Sequence, residues 1–205
     1  MPGFDISNFD LALSLALGIA LAAATGFRVF LPMLVASAAA YSGNLPLGEN
    51  FAWLATPAAV TLLGVAAVVE AAAYYIPGVD NLLDTIATPA AFVAGTIISA
   101  AVIVDMPPLI KWATAIIAGG GIAGLTQGTT ALVRAKSTVM TGTLGNPVLA
   151  TAEVGGSLLL SILALLAPIA ALLLVVGLFW LAIRLLRKLT RTSKPAQAPR
   201  TSHQT

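Results

Sequence analysis

The sequence predicts an all-α protein, a polytopic transmembrane helix bundle of about six spans. Only 9% of the 205 residues are charged, and 59% are hydrophobic. A soluble domain usually carries about 25% charged residues. The hydrophobic residues also form long runs, and about 20 apolar residues are enough to cross a hydrocarbon core of about 30 Å. These observations indicate an integral membrane protein.

The first predicted span covers residues 10–41, which is long for one straight crossing. Gly26 and Pro32 flank Arg28 within it, so we expect that the helix can be broken near this arginine. Irregular backbone at membrane depth is tolerated only where it is buried in protein or lines a cavity. The acidic N-terminus lacks the basic segment of a signal peptide, so this run is expected to remain as a span.

Helix-start signals define several later spans. Thr56-Pro57, Thr88-Pro89 and Asn146-Pro147 each place a capping side chain before a proline at the first helical position. The remaining predicted spans are residues 57–76, 86–104, 109–133, 147–167 and 169–190. The last two spans can also be read as one long helix.

The positive charges predict the orientation, because short cytoplasmic loops are enriched in Lys and Arg. Arg134 and Lys136 follow the fourth span, and a basic cluster from Arg184 to Lys194 follows the sixth. A separate sixth span places both clusters on one side of the membrane. We therefore expect a multi-pass protein of the inner (plasma) membrane, with both termini in the cytoplasm and the loop at 42–56 outside.

Small residues recur at every fourth position in the first and fourth spans. The two stripes are Gly18, Ala22 and Gly26, and Gly120, Gly124 and Gly128. Such stripes allow close helix packing, and two independent stripes are one explanation. The other is a 3+3 inverted repeat with halves at 10–104 and 109–190, as many transporters have. Either way, residues 1–191 form one membrane domain, and the polar tail at 192–205 is predicted to be disordered.

Glu70 and Glu153 lie inside predicted spans, each about 9 Å from the cytoplasmic boundary at a rise of about 1.5 Å per residue. Ionisable residues at such depth usually face a bundle interior or a water-filled path. If their helices face each other, the two carboxylates could share a proton or bind a cation. Alternatively, each pairs with a basic residue such as Arg134 or Lys136 and only holds helices together.

Arg28 is predicted to lie deep in the first span, where a guanidinium suits a carboxylate or phosphate. A salt bridge, or snorkelling toward headgroups, would explain it equally well. Further candidates for transport or ion binding are Thr25, Asp80, Asp84, Gln127 and Arg134. Helix capping is another explanation for the two aspartates. The polar segment 134–147 is expected to be either a plain loop or a re-entrant element.

Several classes of function are disfavoured. The chain has no cysteine, and its single histidine, His203, lies in the tail, so no metal, no cofactor and no enzyme activity are expected. Nucleic acid is not an expected partner either. The predicted function is a small transporter or translocase, proton- or cation-coupled, whose partners are the lipid bilayer and a small solute, ion or lipid headgroup. The alternatives are a homo-oligomeric ion channel and a structural or assembly protein whose buried charges only pair helices.

Four motifs resemble those of a known family. They are LGIALAAATGFRVFLP, EAAAYYIPGVDNLLDTIATPAA, AIIAGGGIAGLTQGTTALVRAKST and LGNPV-x4-E-x-GGS. Together they are similar to a bacterial integral-membrane family known as domain of unknown function family 4126, over residues 10–185. The resemblance implies the membrane class and implies that the polar motifs belong together. It supplies no activity and no substrate.

Overall fold

The described residues are helical apart from short connections. The computed structural model describes residues 6–76, 78–104, 106–142 and 144–191, with side chains given except at 6–9, 81 and 185–191. Its α-helices are α1 (Ile6–Thr25), α2 (Phe30–Tyr41), α3 (Pro57–Ala73), α4 (Val79–Val102), α5 (Pro108–Thr114), α6 (Gly121–Thr141), α7 (Asn146–Leu166) and α8 (Pro168–Arg191). The predicted all-α class is confirmed.

Several helices are apolar enough for a membrane. In the described part of the chain, three are also long enough to cross it: Leu82–Val102, Pro108–Thr141 and Asn146–Leu166. A fourth is the 3-10 segment Glu49–Ala55 together with α3, if a pair bent by 67° counts as one span. The shorter apolar helices are Asp10–Thr25, Phe30–Tyr41 and Pro168–Arg184. The protein is therefore a membrane protein, whereas the predicted count of about six spans is not established.

The predicted first span is interrupted at residues 26–29, between α1 and α2. The Ser157 hydroxyl donates to Ala24 O at 3.1 Å, and Arg28 Nη2 donates to Ala150 O at 3.2 Å. The residue number of the contact on α7 therefore decreases, from Ser157 to Ala150, as the residue number on the α1 side increases, from Ala24 to Arg28. The two helices are antiparallel.

α2 returns to the end of the bundle from which α1 comes. Near that end, Ser99 Oγ of α4 donates to Gly18 O of α1 at 2.9 Å. After α2, Gly48 N donates to Ala101 O, also at 2.9 Å. α1 and α2 thus form a helical hairpin with its tip at residues 26–29, which we call the hairpin tip. The expected broken helix is confirmed, but a single first span is wrong, because the chain reverses at the break.

α4 begins at Val79, so the predicted start at Thr88-Pro89 is wrong. Pro89 lies inside the helix, and the Thr88 hydroxyl donates back to Asp84 O at 3.4 Å instead of capping a new helix. The earlier start places Asp80 and Asp84 one turn apart on α4.

The fourth predicted span is longer than expected and contains a wide turn. A π-helical segment, Ala115–Gly120, joins α5 to α6 without a break. α6 ends at Thr141 and is capped by Gly142, whose φ of 61° is left-handed and favours glycine. Residues 134–141 of the polar segment 134–147 therefore belong to α6. This part of the segment was predicted to be a plain loop or a re-entrant element, and that prediction is wrong.

The first stripe of small residues lies in the bundle core. Gly18 packs on the backbone of Ser99, and Ala22 is fully buried. A Cβ added to Gly26 would collide with Thr126 and would lie 2.5 Å from Ala123 O. α1 therefore approaches α4 and α6 closely through this stripe.

The second stripe is displaced from its predicted position. Gly120 packs against α4, but a Cβ at Gly124 would make only ordinary contact, and one at Gly128 would meet no atom within 4 Å. The close contact with α4 instead uses Gly119 and the fully buried Ala123. A shift of one residue rotates the packed face by about 100°, so Gly124 and Gly128 lie off it.

The predicted 3+3 inverted repeat is not confirmed. In such a repeat, α1 of the first half would correspond to α6 of the second half. Both helices run antiparallel to α4. The neighbouring pairs are Gly18–Ser99 and Thr25–Gly95 for α1, and Gly119–Ser99 and Gln127–Asp84 for α6. The mates thus run in the same direction, whereas mates in an inverted repeat run in opposite directions.

The chain divides into two units. The first extends to Leu172, and the second begins at Leu173 and contains the rest of the described part of α8. Within the second unit, the Arg184 guanidinium lies 5.2 Å from the centre of the Trp180 ring. The predicted tail at 192–205 lies outside the described residues.

Candidate functional site: a buried charged cluster

Arg28 lies at the hairpin tip, and its side chain is held by two other elements. The residue is 2% exposed. Its Nη2 lies 3.0 Å from Glu153 Oε2 on α7 and also donates to Ala150 O. Its guanidinium lies 3.9 Å from the centre of the Tyr74 ring, at the end of α3. The break in the helix thus places a cation inside the bundle.

A second arginine converges on the same two residues. Arg134 on α6 is 1% exposed, and its Nη2 donates to Glu153 Oε2. Its guanidinium lies 4.3 Å from the centre of the Tyr74 ring. Its Nη1 lies 3.2 Å from Asp84 Oδ1 on α4. We call Arg28, Arg134, Glu153, Asp84 and Tyr74 the charged cluster.

The cluster joins five parts of the fold in a setting from which water is mostly excluded. Glu153 is 7% exposed. Burying charged groups is costly unless they are paired and hydrogen-bonded. The pairing here is incomplete, because Arg28 Nε, Arg28 Nη1 and Arg134 Nε are buried without a hydrogen-bond partner. The cluster therefore has more donors than the acceptors around it satisfy.

A polar network adjoins the cluster at the start of α4. Gln127 Nε2 donates to Asp84 Oδ1 at 3.4 Å. Asp80 lies in the first turn of α4, whose N-cap residue is Gly78, and its carboxylate accepts from Gly78 N at 2.9 Å. Asn146 Nδ2 also donates to Asp80, and to the Thr138 hydroxyl at 2.9 Å. This network ties α4, α6 and α7 together beside the charged cluster.

Glu70 also reaches the hairpin tip, where it holds the start of α2. Its Oε1 accepts from Val29 N at 2.7 Å, and its Oε2 accepts from Phe30 N at 3.0 Å. A carboxylate is favourable at a helix N-terminus because free N–H groups and the helix dipole meet there. The two glutamates thus come to the same tip but bind different groups: Glu70 binds amides, and Glu153 binds guanidinium groups.

Two residues considered at the sequence level lie elsewhere. Thr25 is fully buried, but its hydroxyl donates to Ala22 O at 2.7 Å, and it lies beside Gly95. Lys136 is exposed, whereas Arg134 is the partner of Glu153. Among the described residues, no group of three or more His, Cys, Asp or Glu side chains is arranged to hold a metal ion.

Sequence reasoning missed two members of this region. Tyr74 follows Glu70 by one helical turn, and its position next to a buried acid was the available signal. Asn146 was predicted to cap a helix before Pro147, but the N-cap residue of α7 is Gly145; the Asn146 side chain is buried and binds Asp80. A buried side-chain amide needs partners, which the sequence alone does not identify.

Comparison with known proteins gives the family. The chain matches the family model described as Domain of unknown function (DUF4126) over residues 15–188. The chain belongs to this family. The matched segment contains the hairpin tip, the charged cluster and the polar network around Asp80, so these features lie within the family's domain. No curated protein and no solved structure matches the chain.

Proposed function

We propose that this member of the family is a small transporter or translocase of the inner membrane, and that it binds an ionic solute at the charged cluster. The observation that carries the proposal is the convergence of Arg28, Arg134, Asp84 and Glu153 inside an apolar bundle. Charged groups at membrane depth are costly, and in membrane proteins they commonly mark the path of a solute or proton.

The hairpin tip supports a transport role. Secondary transporters commonly bind solutes at broken helices, where helix N-termini face anionic groups. Here the amides of Val29 and Phe30 and the guanidinium of Arg28 belong to one break, and each holds a carboxylate of the chain. Such backbone is tolerated at membrane depth only when it is buried or lines a cavity.

The opposite charges in the cluster suggest how a proton would be coupled to a solute. A proton that binds Glu153 removes the charge that neutralises Arg28 and Arg134. The two guanidinium groups then attract an anionic group of the solute. Release of the solute would restore the pairing when Glu153 loses its proton. In this cycle the glutamate carries the proton, and the arginines carry the solute.

The proposed orientation keeps residues 42–56 outside and the connection between α6 and α7 in the cytoplasm. The charge pattern alone predicted a cytoplasmic N-terminus. The hairpin instead returns toward the end where α1 starts, which is also the end that carries Gly48. We therefore propose that the start of α1 lies on the same side as residues 42–56. The expectation of a cytoplasmic C-terminus is retained.

A structural role is the second candidate, because the same contacts favour it. Glu153 pairs with both arginines, and Asp84 pairs with Arg134. Pairs of this kind would also fix the hairpin tip against α4, α6 and α7. In that case neutralising Glu153 would lower stability without any effect on solute movement.

The deciding experiment uses purified protein in proteoliposomes on a solid-supported membrane. Concentration jumps of phosphate, acetate, Na⁺, K⁺ and glucose are applied, and the transient current is recorded. We expect a saturable transient current from at least one solute, reduced at least about tenfold in Glu153→Gln because the variant lacks the carboxylate that carries the proton in the proposed cycle. Glu49→Gln is the matched control, since Glu49 is exposed and lies in the 3-10 segment.

The other outcomes separate the alternatives. Folded protein that gives no transient current with any of these solutes would contradict the proposal. An unchanged current in Glu153→Gln would show that the cluster is structural. A steady current proportional to voltage, without a saturable transient, would indicate an ion channel.

A further inference from the structure

The two arginines of the charged cluster share one carboxylate oxygen. Arg28 Nη2 and Arg134 Nη2 both bind Glu153 Oε2. Asp84 lies beside Arg134, at 3.2 Å from its Nη1. Like charges repel strongly where water is excluded, and the tip of Arg28 has only the shared oxygen and a main-chain carbonyl as partners. Glu153 and Asp84 balance the two guanidinium groups, so another anionic group can bind the pair only where it displaces Glu153.

The hydrogen-bond donors of the pair lead to the same conclusion. Each guanidinium carries five N–H donors in a rigid planar fork. Arg28 Nε, Arg28 Nη1 and Arg134 Nε have no hydrogen-bond partner, although both residues are almost completely buried. An unpaired buried donor is destabilising. One oxygen of Glu153 binds both Nη2 atoms, and three other donors remain without a partner. A group with more oxygens would provide acceptors for these donors.

We propose that Arg28 and Arg134 form a binding site for a phosphate group, belonging either to inorganic phosphate or to a phosphomonoester lipid headgroup. In this proposal, Glu153 is the resident occupant, and the phosphate displaces its carboxylate. Phosphate carries more oxygens and more negative charge than a carboxylate and matches the arginine fork. The inference rests on the proposed function, since it names the class of solute that the transporter binds.

Two contacts prepare the site for such a ligand. The Tyr74 ring lies 3.9 Å from the Arg28 guanidinium and 4.3 Å from that of Arg134, so one aromatic ring orients both cations. The neighbouring Glu70 holds the amides of the hairpin tip. Because Glu70 does not bind the guanidinium groups in an ion pair, it stays in place when phosphate displaces Glu153.

The test measures binding without transport. Protein in phosphatidylcholine nanodiscs is titrated with inorganic phosphate at constant ionic strength, with chloride as the reference, and thermal unfolding is followed by tryptophan fluorescence. We expect phosphate to raise the unfolding temperature in a saturable way. The effect should be lost in Arg28→Gln and Arg134→Gln. It should be retained in the matched control Arg184→Gln, since Arg184 is exposed and lies outside the cluster.

Glu153→Gln is expected to bind phosphate more tightly than the wild type, and a misfolded variant would not show such a gain. Removing the charge of the resident carboxylate should tighten phosphate binding at least about tenfold, because the phosphate no longer competes with a bound anion. Weaker or unchanged binding in Glu153→Gln, or an equal phosphate effect in the wild type and Arg28→Gln, would overturn the proposal.

A second set of nanodiscs identifies the source of the phosphate group. These nanodiscs contain phosphatidic acid in addition to phosphatidylcholine. If phosphatidic acid raises the unfolding temperature and abolishes the effect of inorganic phosphate, the ligand is a lipid headgroup. If the effect of inorganic phosphate persists, the ligand is the free ion. Transient currents with another solute and no response to either phosphate source would overturn this inference but leave the transport proposal standing.

Discussion

Arg28 and Glu153 meet across the bundle, with Nη2 of the arginine 3.0 Å from Oε2 of the glutamate. This contact joins the hairpin tip to α7, whose first residues lie beside the polar network around Asp80. Both side chains are almost fully buried. A pair of this kind is strongly destabilised when one partner is removed, because the other is left as an uncompensated buried charge. The hairpin tip and the proposed ligand site therefore depend on the same contact.

The first prediction concerns the cap of α2. Glu70→Gln should lower the free energy of unfolding by about 1–2 kcal/mol, because an amide carries no charge for the helix N-terminus and offers only one acceptor oxygen. Thermal unfolding in detergent measures the change. Glu49→Gln, which alters an exposed glutamate, should unfold at the wild-type temperature. Equal unfolding temperatures for the two variants would show that the contacts of Glu70 with Val29 and Phe30 contribute nothing.

The second prediction concerns the close approach of α4 and the π-helical segment Ala115–Gly120. Gly119→Ala should destabilise the protein by about 1–3 kcal/mol, because the methyl group overpacks the interface. It would collide with Ser99 Oγ and lie 2.7 Å from Gly95 O. Gly128→Ala is the matched control, since the added methyl group meets open space. If both variants unfold at the same temperature, the two helices do not pack through Gly119.

The third prediction is that anion binding and proton binding are linked. Sulfate, which does not titrate near neutral pH, should bind more tightly as the pH falls, because a proton on Glu153 removes the competing carboxylate. By reciprocity, sulfate should promote proton uptake. The charged groups that face Glu153 are Arg28, Arg134, Asp84 and Glu70. In Glu153→Gln, sulfate binding should be tight and nearly independent of pH, whereas an unchanged pH dependence would place the proton on another group.

The fourth prediction tests the hairpin. The chain has no cysteine, so single cysteines introduced at Asp10, Asn44 and Met140 report cleanly on sidedness. All three positions are exposed. A membrane-impermeant thiol reagent added to intact cells should label the cysteines at 10 and 44 but not the one at 140. Labelling at 44 without labelling at 10 would restore a single span across residues 10–41.

Composition and hydropathy were enough to predict the all-α class, because a chain with so few charges has no soluble alternative. The sequence also identified Arg28, Glu70 and Glu153 as candidates, since an ionisable group inside an apolar run needs a partner. Asp84 and Arg134 were candidates from polar segments. Their pairing was not predictable. Arg28 and Glu153 lie far apart in the chain, and only the tertiary fold shows that Glu153 binds two arginines while Glu70 binds amides.

Other features lacked a local signal. Gly26 and Pro32 indicated a break, but whether the chain continues or reverses there depends on packing against α3 and α7. The glycine stripe was ambiguous for another reason. Gly119, Gly120 and Gly121 are consecutive, and each lies on a different side of the helix. A spacing of four residues therefore cannot show which of these glycines packs against the neighbouring helix.

The π-helical segment Ala115–Gly120 has a consequence for the charged cluster. A π turn contains about one residue more than an α turn. Everything that follows on α6 is thereby rotated by about 100° relative to a regular helix that starts at Pro108. Deletion of one residue from this turn would carry Arg134 away from Glu153 even though every side chain of the cluster remained in the sequence. The geometric register of the second arginine is thus set by residues 115–120, several helical turns before Arg134 itself.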